Sequence, residues 1–359
     1  MIISIENEAK RYESPEDVEE LISLIDENAS EIVEINLQGN VFTPEALEPL
    51  FQKISELKDL KVINLSRIFS ALPNKVMLKG LSIICKYLDP TPLILLDLSD
   101  NAISCEFPEE FTSFLCGLKN LEVLKMSNCG LGTIGGNKLA DCLSKIENKN
   151  NLLLIDISMN KLIQSAIRLG HVLEQFVSLA EIRMQYNTVD RDSMDAFLRS
   201  FREHSLRVLD IRDNFLSLEG CRLLGEYFLS WDIEELRLGD CMMGNEGILE
   251  FIKQASEKRP QFYMPGGFSH TQEKFNLDLS YNEMEESGLK ALVKFVKNRE
   301  IGCLWLEGND FDEDGENFKE LKIIIESKGG SIKSDEKPEL NEKEEVDGSL
   351  LERFEAVLQ

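Results

Sequence analysis

Leu93-Ile-Leu-Leu-Asp-Leu-Ser-Asp-Asn101 decides the fold. Apolar residues occupy its first, fourth and sixth positions and an asparagine its ninth. In that pattern, alternate side chains of a short strand face a core, and the asparagine turns inward to bond loop backbone. The pattern recurs at Ile32–Asn40, Leu121–Cys129, Leu152–Asn160, Leu179–Asn187, Leu206–Asn214, Ile233–Cys241 and Ile301–Asn309. A shortened copy runs from Leu277 to Asn282, and a degenerate one from Leu60 to Ile68.

Successive copies are about 27 to 33 residues apart, with one longer step between Cys241 and Asn282, which leaves room for a full helix between strands. Ser193–Phe201 has the apolar spacing of such a helix. One unit cannot bury its own apolar face, so the units must stack. The expectation is an α/β leucine-rich-repeat solenoid, a right-handed horseshoe with parallel strands on the concave face and helices on the convex face. Residues 1–30 form an N-terminal cap in this reading, 31–330 an array of about ten repeats, and 331–359 an acidic linker with a short C-terminal helix. Residues 255–272, punctuated by Pro and Gly, read as a loop inserted into the array, and Leu350–Leu358 has amphipathic helical spacing.

The chain of 359 residues is 43% hydrophobic but has no apolar run of the roughly 18 residues that a membrane helix needs, so a soluble protein with no membrane partner is expected. Met1-Ile-Ile-Ser-Ile-Glu6 meets acidic residues at once, unlike a secretory signal, and the expected location is cytoplasmic. The eight cysteines include no C-x-x-C pair, which argues for reduced thiols and against a metal or disulfide framework. The sequons at Asn28 and Asn64 carry no weight without a secretory route. Sixty-five acidic residues against 39 basic give a formal charge of −26, which repels nucleic acid and favours encounter with a basic protein.

Gly130-Leu-Gly-Thr-Ile-Gly135 matches the dinucleotide fingerprint, yet Gly135 sits six residues after Cys129, just as Gly220, Gly247 and Gly288 follow Asn214, Cys241 and Asn282. The repeat accounts for it. The three histidines, His171, His204 and His270, fall in separate segments, so no nucleophile–base pair of the chain's own is expected, nor any cofactor of its own. Between the two core residues of each strand lie Asp97, Lys125, Asp156, Arg183, Asp210, Arg237 and Asp278, whose alternating signs predict a ladder in which each charge faces its opposite on the next repeat. Trp305 ends that series as a candidate anchor for a partner. A second row precedes the consensus Asn or Cys: Asp100, Asn128, Met159, Tyr186, Asp213, Asp240 and Tyr281. Its acidic and aromatic residues suit a protein interface, with Asp100, Tyr186, Asp213, Asp240 and Tyr281 as candidate partner contacts.

The segments Ile35-Asn-Leu-Gln-Gly-Asn-Val-Phe-Thr-Pro-Glu-Ala46, Leu65-Ser-Arg-Ile-Phe69, Leu98-Ser-Asp-Asn-Ala102, Ser127-Asn-Cys-Gly-Leu-Gly132, Leu236-Arg-Leu-Gly-Asp-Cys241 and Leu304-Trp-Leu-Glu-Gly-Asn309 follow one another in a distinctive order and register. Through them, residues 30 to 325 resemble the Ran GTPase-activating protein family. The resemblance implies an activator, not an enzyme in its own right, that acts on a Ran-type small GTPase in its GTP form in nucleocytoplasmic transport, with a Ran-binding protein as a further partner. GTP and Mg would be held by that partner. It further implies that no arginine finger is supplied and that Asn128 helps hold the GTPase's own glutamine, a positioning role in phosphoryl transfer. Where the family carries T-G-R after the second repeat's Ile-Phe, this chain reads Ile68-Phe-Ser-Ala-Leu72, so Leu72 stands at the position of an activity-linked arginine. Arg67 and Lys75 are the nearby candidates to substitute for it. The alternative reading is a non-catalytic scaffold or inhibitor of a basic protein, similar to ribonuclease inhibitor.

Overall fold

The computed structural model describes residues 1–257 and 274–334, which fall into two compact units. The expected insertion at 255–272 starts too early, because Ala255 and Ser256 close the helix Gly244–Ser256; the rest of it from 258 onward, with His270, and the linker and helix expected from 335 onward lie outside the described residues.

The first unit comprises Met1–Ser165 with Gln175–Leu179. It opens with β1 (Ile2–Ser4), β2 (Arg11–Tyr12) and α1 (Glu19–Asn28). Next come β3 (Glu34–Asn36), β4 (Val41–Phe42), α2 (Pro44–Ile54), β5 (Val62–Asn64) and α3 (Asn74–Tyr87). The unit continues with β6 (Leu95–Asp97), α4 (Glu109–Cys116), β7 (Val123–Lys125), α5 (Gly132–Lys145) and β8 (Leu154–Asp156). Its main strands lie side by side in the order β1-β3-β5-β6-β7-β8, all parallel, while β2 pairs with β4. The N-terminal residues, expected above as a cap, supply strands of their own, Ile2–Ser4 and Arg11–Tyr12.

The second unit takes in α6 (Ser165–Leu173), apart from its first residue, then β9 (Glu181–Arg183), α7 (Arg191–Arg199), β10 (Val208–Asp210) and α8 (Leu218–Phe228). It continues through β11 (Glu235–Arg237), α9 (Gly244–Ser256), β12 (Phe275–Asp278), α10 (Glu286–Val296), β13 (Ile301–Trp305), α11 (Glu316–Ser327) and β14 (Ser331–Lys333). These strands are parallel in sequence order. Ser331–Lys333, assigned above to a linker, instead forms the last strand, with Leu304 opposite Ile332. Crossovers between parallel neighbours are right-handed, so within each unit the helices collect on one face of the sheet and leave the other open.

The core forms between strands and helices. In the first unit Ile35, Ile63, Leu96, Leu124 and Ile155 stack in register with no exposure. In the second, Met194, Phe197 and Leu198 of α7 are equally buried, as the spacing of Ser193–Phe201 requires. Two helix starts are capped by side chains: Asp190 accepts from the Ser193 N–H at 3.0 Å, and Ser217 Oγ from the Gly220 N–H at 3.0 Å.

Consensus asparagines hold the turns. Asn160 Oδ1 accepts from the N–H groups of Cys129 at 3.0 Å and Leu131 at 3.2 Å, while its Nδ2 donates to the carbonyls of Met126, Ile157 and Ser158. Asn101 does the same for Ile68, Phe69, Leu65 and Leu98. Where cysteine replaces asparagine, its thiol still donates, Cys129 to the Leu98 carbonyl and Cys241 to that of Ile211, both at 3.2 Å. In the degenerate repeat Ile68 is simply buried in the asparagine's place, and its carbonyl takes the Phe42 N–H at 3.0 Å.

The dinucleotide-like glycines have a packing explanation. A Cβ on Gly135, in the first turn of α5, would stand 3.2 Å from the Ser104 carbonyl of the preceding repeat. At Gly220, Gly247 and Gly288 it would stand 2.7, 2.8 and 2.7 Å from side-chain atoms of Asp195, Cys221 and Asn245. At the sixth position after the consensus residue, a side chain would crowd the preceding repeat in all four cases.

Candidate functional site

The strand exits form the most regular feature of either unit. After the last strand residue the parallel ladder continues for one more step: the N–H groups of Arg67, Asp100 and Asn128 donate to the carbonyls of Ser99, Ser127 and Ser158, each at 2.9 Å. The donating residue then swings into the left-handed region. In the first unit φ is +74° at Gly39, +55° at Arg67, +60° at Asp100, +51° at Asn128 and +57° at Met159. In the second it is +58° at Tyr186, +53° at Asp213, +51° at Asp240, +53° at Tyr281 and +65° at Gly308. Left-handed backbone costs a non-glycine residue roughly 1 kcal/mol or more, which the flanking ladder bond and the buried consensus side chain offset. Because Met159 and two tyrosines adopt the same geometry, the backbone does not select asparagine at 128. The choice of side chain is free for other purposes.

Asn128 is exposed, and its Nδ2 donates to Asp100 Oδ1 at 2.7 Å. That bond fixes which way the amide faces and leaves Oδ1 and a second N–H to meet a partner. Arg67 lies in the same row, two repeats before Asn128, about 10 Å away at the usual strand spacing. Its guanidinium reaches toward the N-terminus and donates to Asn7 Oδ1 at 2.7 Å. Lys75 is exposed in the first turn of α3, beyond the loop and outside the row, and Leu72 is half-buried in that loop. The structure thus brings Arg67, Asp100 and Asn128 onto one edge and sets Lys75 apart. Asn7, sixty residues from Arg67, carried no signal in the sequence.

In the second unit the row is acidic and aromatic, as its sequence reads. Tyr186 and Tyr281 are exposed, and the Tyr281 ring lies across Gly308, where a Cβ would collide with it. Burial raises the Asp213 carboxyl, and its neighbour Asp240 adds to the rise. Trp305 lies on the open sheet face, not in this row. Its ring is flanked by the guanidinium of Arg237 at 5.2 Å and the ammonium of Lys333 at 5.9 Å.

The charge ladder needs correcting. Its members stand in register, with Asp97 opposite Lys125 and Asp210 between Arg183 and Arg237. The direct ion pairs nevertheless run along single strands: Arg183 with Glu181, Arg237 with Glu235, and Arg212 with Asp210 through two bonds of 2.9 and 2.7 Å. The aspartates are turned down their own strands. Asp97, Asp156 and Asp278 accept the N–H two residues on, from Ser99, Ser158 and Ser280, at 2.9 to 3.0 Å. A short carboxylate reaches its own departing backbone more easily than a side chain one strand away. The sequence signature of this local bond is the repeated Asp-x-Ser at Asp97, Asp156 and Asp278. Burial raises the Asp97 and Asp278 carboxyls, against attraction from Lys125 in one case and Arg212 and Arg237 in the other.

Among the described residues no His, Cys, Asp or Glu cluster is arranged to hold a metal ion, and no helix is long and apolar enough to cross a membrane. His171 is exposed in α6, whereas His204 is buried with its ring 5.2 Å from that of Phe201.

Strand, loop, helix and inward asparagine, repeated in register, define a leucine-rich-repeat protein. Leucine-rich-repeat family models match residues 92–114 and 276–293. Within that class the chain is similar to the Ran GTPase-activating proteins. It is 24% identical to Ran GTPase-activating protein 1 of Saccharomyces cerevisiae over 343 residues, 88% of this chain and 80% of the yeast protein. Ran GTPase-activating protein of Drosophila melanogaster is 25% identical over 56% of the chain, and that of Xenopus laevis 28% over 42%. The chain spans only 36% and 26% of those two relatives' own length. The family resemblance read from residues 30 to 325 is borne out by these matches.

Proposed function

We propose that this protein activates GTP hydrolysis on a Ran-type small GTPase in its GTP form, and that it does so in the cytoplasm as part of nucleocytoplasmic transport. The similarity to Ran GTPase-activating proteins over most of the chain supports the coarse function. For the mechanism, the carrying observation is Asn128: exposed, on a backbone that does not require asparagine, with its amide oriented by Asp100. Its free Oδ1 and N–H can hold the amide of the GTPase's own glutamine, which orients the attacking water. The activator supplies no chemistry of its own and no arginine finger, while GTP and Mg belong to the partner. Arg67, on the same edge, is better sited than Lys75 to take over from the arginine that Leu72 replaces. Asp100 and the second unit's Tyr186, Asp213, Asp240, Tyr281 and Trp305 are the remaining candidate contacts. The formal charge of −26 steers a basic GTPase toward the protein and predicts an association rate that falls with salt. A Ran-binding protein can join such a complex through the GTPase.

Single-turnover GTP hydrolysis by Ran, with and without the protein, tests the reading. Acceleration is expected, and Asn128→Ala should slow hydrolysis far more than it weakens binding. No acceleration at micromolar protein refutes the activator role, and equal losses in rate and affinity reduce Asn128 to a contact. Leu72 favours the second reading, a scaffold that binds without activating. Binding of the GTP form with no change in rate would establish it.

A further inference from the structure

The row of strand exits begins one repeat earlier than its sequence signature. The Asn7 N–H donates to the Gln38 carbonyl at 2.8 Å, and the Gly39 N–H to that of Ser66 at 3.1 Å, so both make the ladder bond of the row. Asn7 also takes the left-handed turn, with φ of +56°. The side chain of Arg67 runs back along this edge across Gly39, and its Nη2 donates to Asn7 Oδ1 at 2.7 Å. A Cβ on Gly39 would stand 2.4 Å from Asn7 Oδ1 and 3.2 Å from Arg67 Nη2. The backbone alone does not demand glycine there, since Arg67, Asp100, Asn128 and Met159 hold φ of +51° to +60° in the same row. The crossing side chain demands it.

This contact orients the guanidinium without neutralising it. Asn7 is a neutral amide, and among the described residues no carboxylate lies within ion-pair distance of the exposed Arg67; Arg11 in the same unit, by contrast, pairs with Glu13 at 3.0 Å. A guanidinium has five N–H groups, and those not given to Asn7 are open to an anion with the plane of the fork already fixed. The group sits over Gly39, three strand spacings or roughly 14 Å from the row position of Asn128. That is too far to touch the groups Asn128 holds, so the anion is a surface carboxylate and not a phosphate of GTP. We infer that Arg67, held by Asn7 over Gly39, is a docking contact for a carboxylate side chain of the partner GTPase. It contributes affinity, while the hydrolysis step depends on Asn128. This inference rests on the GTPase reading.

The test measures single-turnover hydrolysis by GTP-loaded Ran over a range of protein concentrations, together with the Kd for Ran loaded with a non-hydrolysable GTP analogue. Arg67→Ala should raise the half-saturating concentration and the Kd together by roughly two- to five-fold, the range of an exposed ion pair, and leave the saturating rate unchanged. Asn7→Ala should reproduce part of that loss and add nothing in the Arg67→Ala background. Asn7→Asp, which neutralises the guanidinium, should match Arg67→Ala. An unchanged Kd in Arg67→Ala, independent losses from positions 7 and 67, or a fall in saturating rate in place of affinity would overturn the inference. Binding by the parent protein without acceleration refutes activation alone, and the Kd series still decides the contact. Absence of binding refutes both.

Discussion

Replacing Asn160 with alanine separates the two jobs that the repeat asparagine performs. Its side chain bonds buried backbone groups, accepting from the N–H groups of Cys129 and Leu131 and donating to the carbonyls of Met126, Ile157 and Ser158. Asn160 itself is 0% exposed, so in Asn160→Ala no bulk water replaces the lost partners. Each buried N–H left unmade costs about 1–3 kcal/mol, and three carbonyls lose an acceptor contact as well, so the expected loss is roughly 3–5 kcal/mol. The effect should be local before it is global, because a stacked array loosens at the damaged neighbour interface. Urea unfolding gives the total loss, and native-state hydrogen exchange should show the Cys129 and Leu131 amides losing protection first. Cys129→Ala provides an internal comparison: its thiol makes one short bond, 3.2 Å to the Leu98 carbonyl, so it should cost only about 1 kcal/mol beyond its lost packing. A loss below about 1 kcal/mol for Asn160→Ala, with both amides still protected, would refute the argument that these bonds hold the turn. The same variant should disorder the neighbouring Asn128, whose N–H bonds the Ser158 carbonyl at 2.9 Å.

Gly225→Ala should destabilise the second unit by about 1–3 kcal/mol, because the new Cβ would lie 2.5 Å from the Phe251 carbonyl oxygen of α9, backbone that cannot rotate away; a thermal midpoint equal to the parent's would contradict this. Glu181 is buried on the open face of β9, its carboxyl raised by burial against the attraction of Arg183 and Arg207. A raised folded value means the folded state holds the proton more tightly. That stability is fully present below the ordinary carboxylate range and is lost as pH rises through the folded value. Glu181→Gln should therefore melt higher than the parent at pH 7, with the gap closing toward pH 4; a gap independent of pH would exclude the buried charge as its cause. Burial pushes the Cys221 and Cys142 thiols up to about 12 and raises those of Cys129 and Cys241 strongly, so all four should resist iodoacetamide at neutral pH until urea unfolds the protein. Peptide mapping that finds any of them alkylated in the native state as fast as half-buried Cys105 would count against the packing described.

The fold was readable because each strand repeats one physical demand. Leu96, Leu124 and Ile155 must face the helices, and Asn101 and Asn160 must turn inward, so period and residue type coincide. The beginning of the array was less readable: Ile2–Ser4 pairs with β3, but Glu8 stands where the consensus asparagine would be, so the stretch carries no repeat signature. The exit row was legible by counting, since it is defined by its place before the consensus residue. Its left-handed backbone was not, because Met159, Tyr186 and Arg67 are poor indicators of positive φ. The pairing of charges went astray for a similar reason. Register predicts which residues are neighbours, but side-chain length decides which neighbour is reached, and Asp97 reaches Ser99 before Lys125.

The left-handed turn shared by the strand exits named above has a consequence for how such an edge changes over time. Because the ladder bond and the buried consensus residue set the backbone angle, the outward side chain contributes little to holding it. Charge, amide, thioether and phenol have all been installed there on the same local geometry. Recognition can thus be rewritten one repeat at a time, with the scaffold acting as a fixed rack for interchangeable contacts. Transfer of the amide from Asn128 to the row position of a neighbouring repeat, Asp100 or Met159, would be a substitution that the fold scarcely registers.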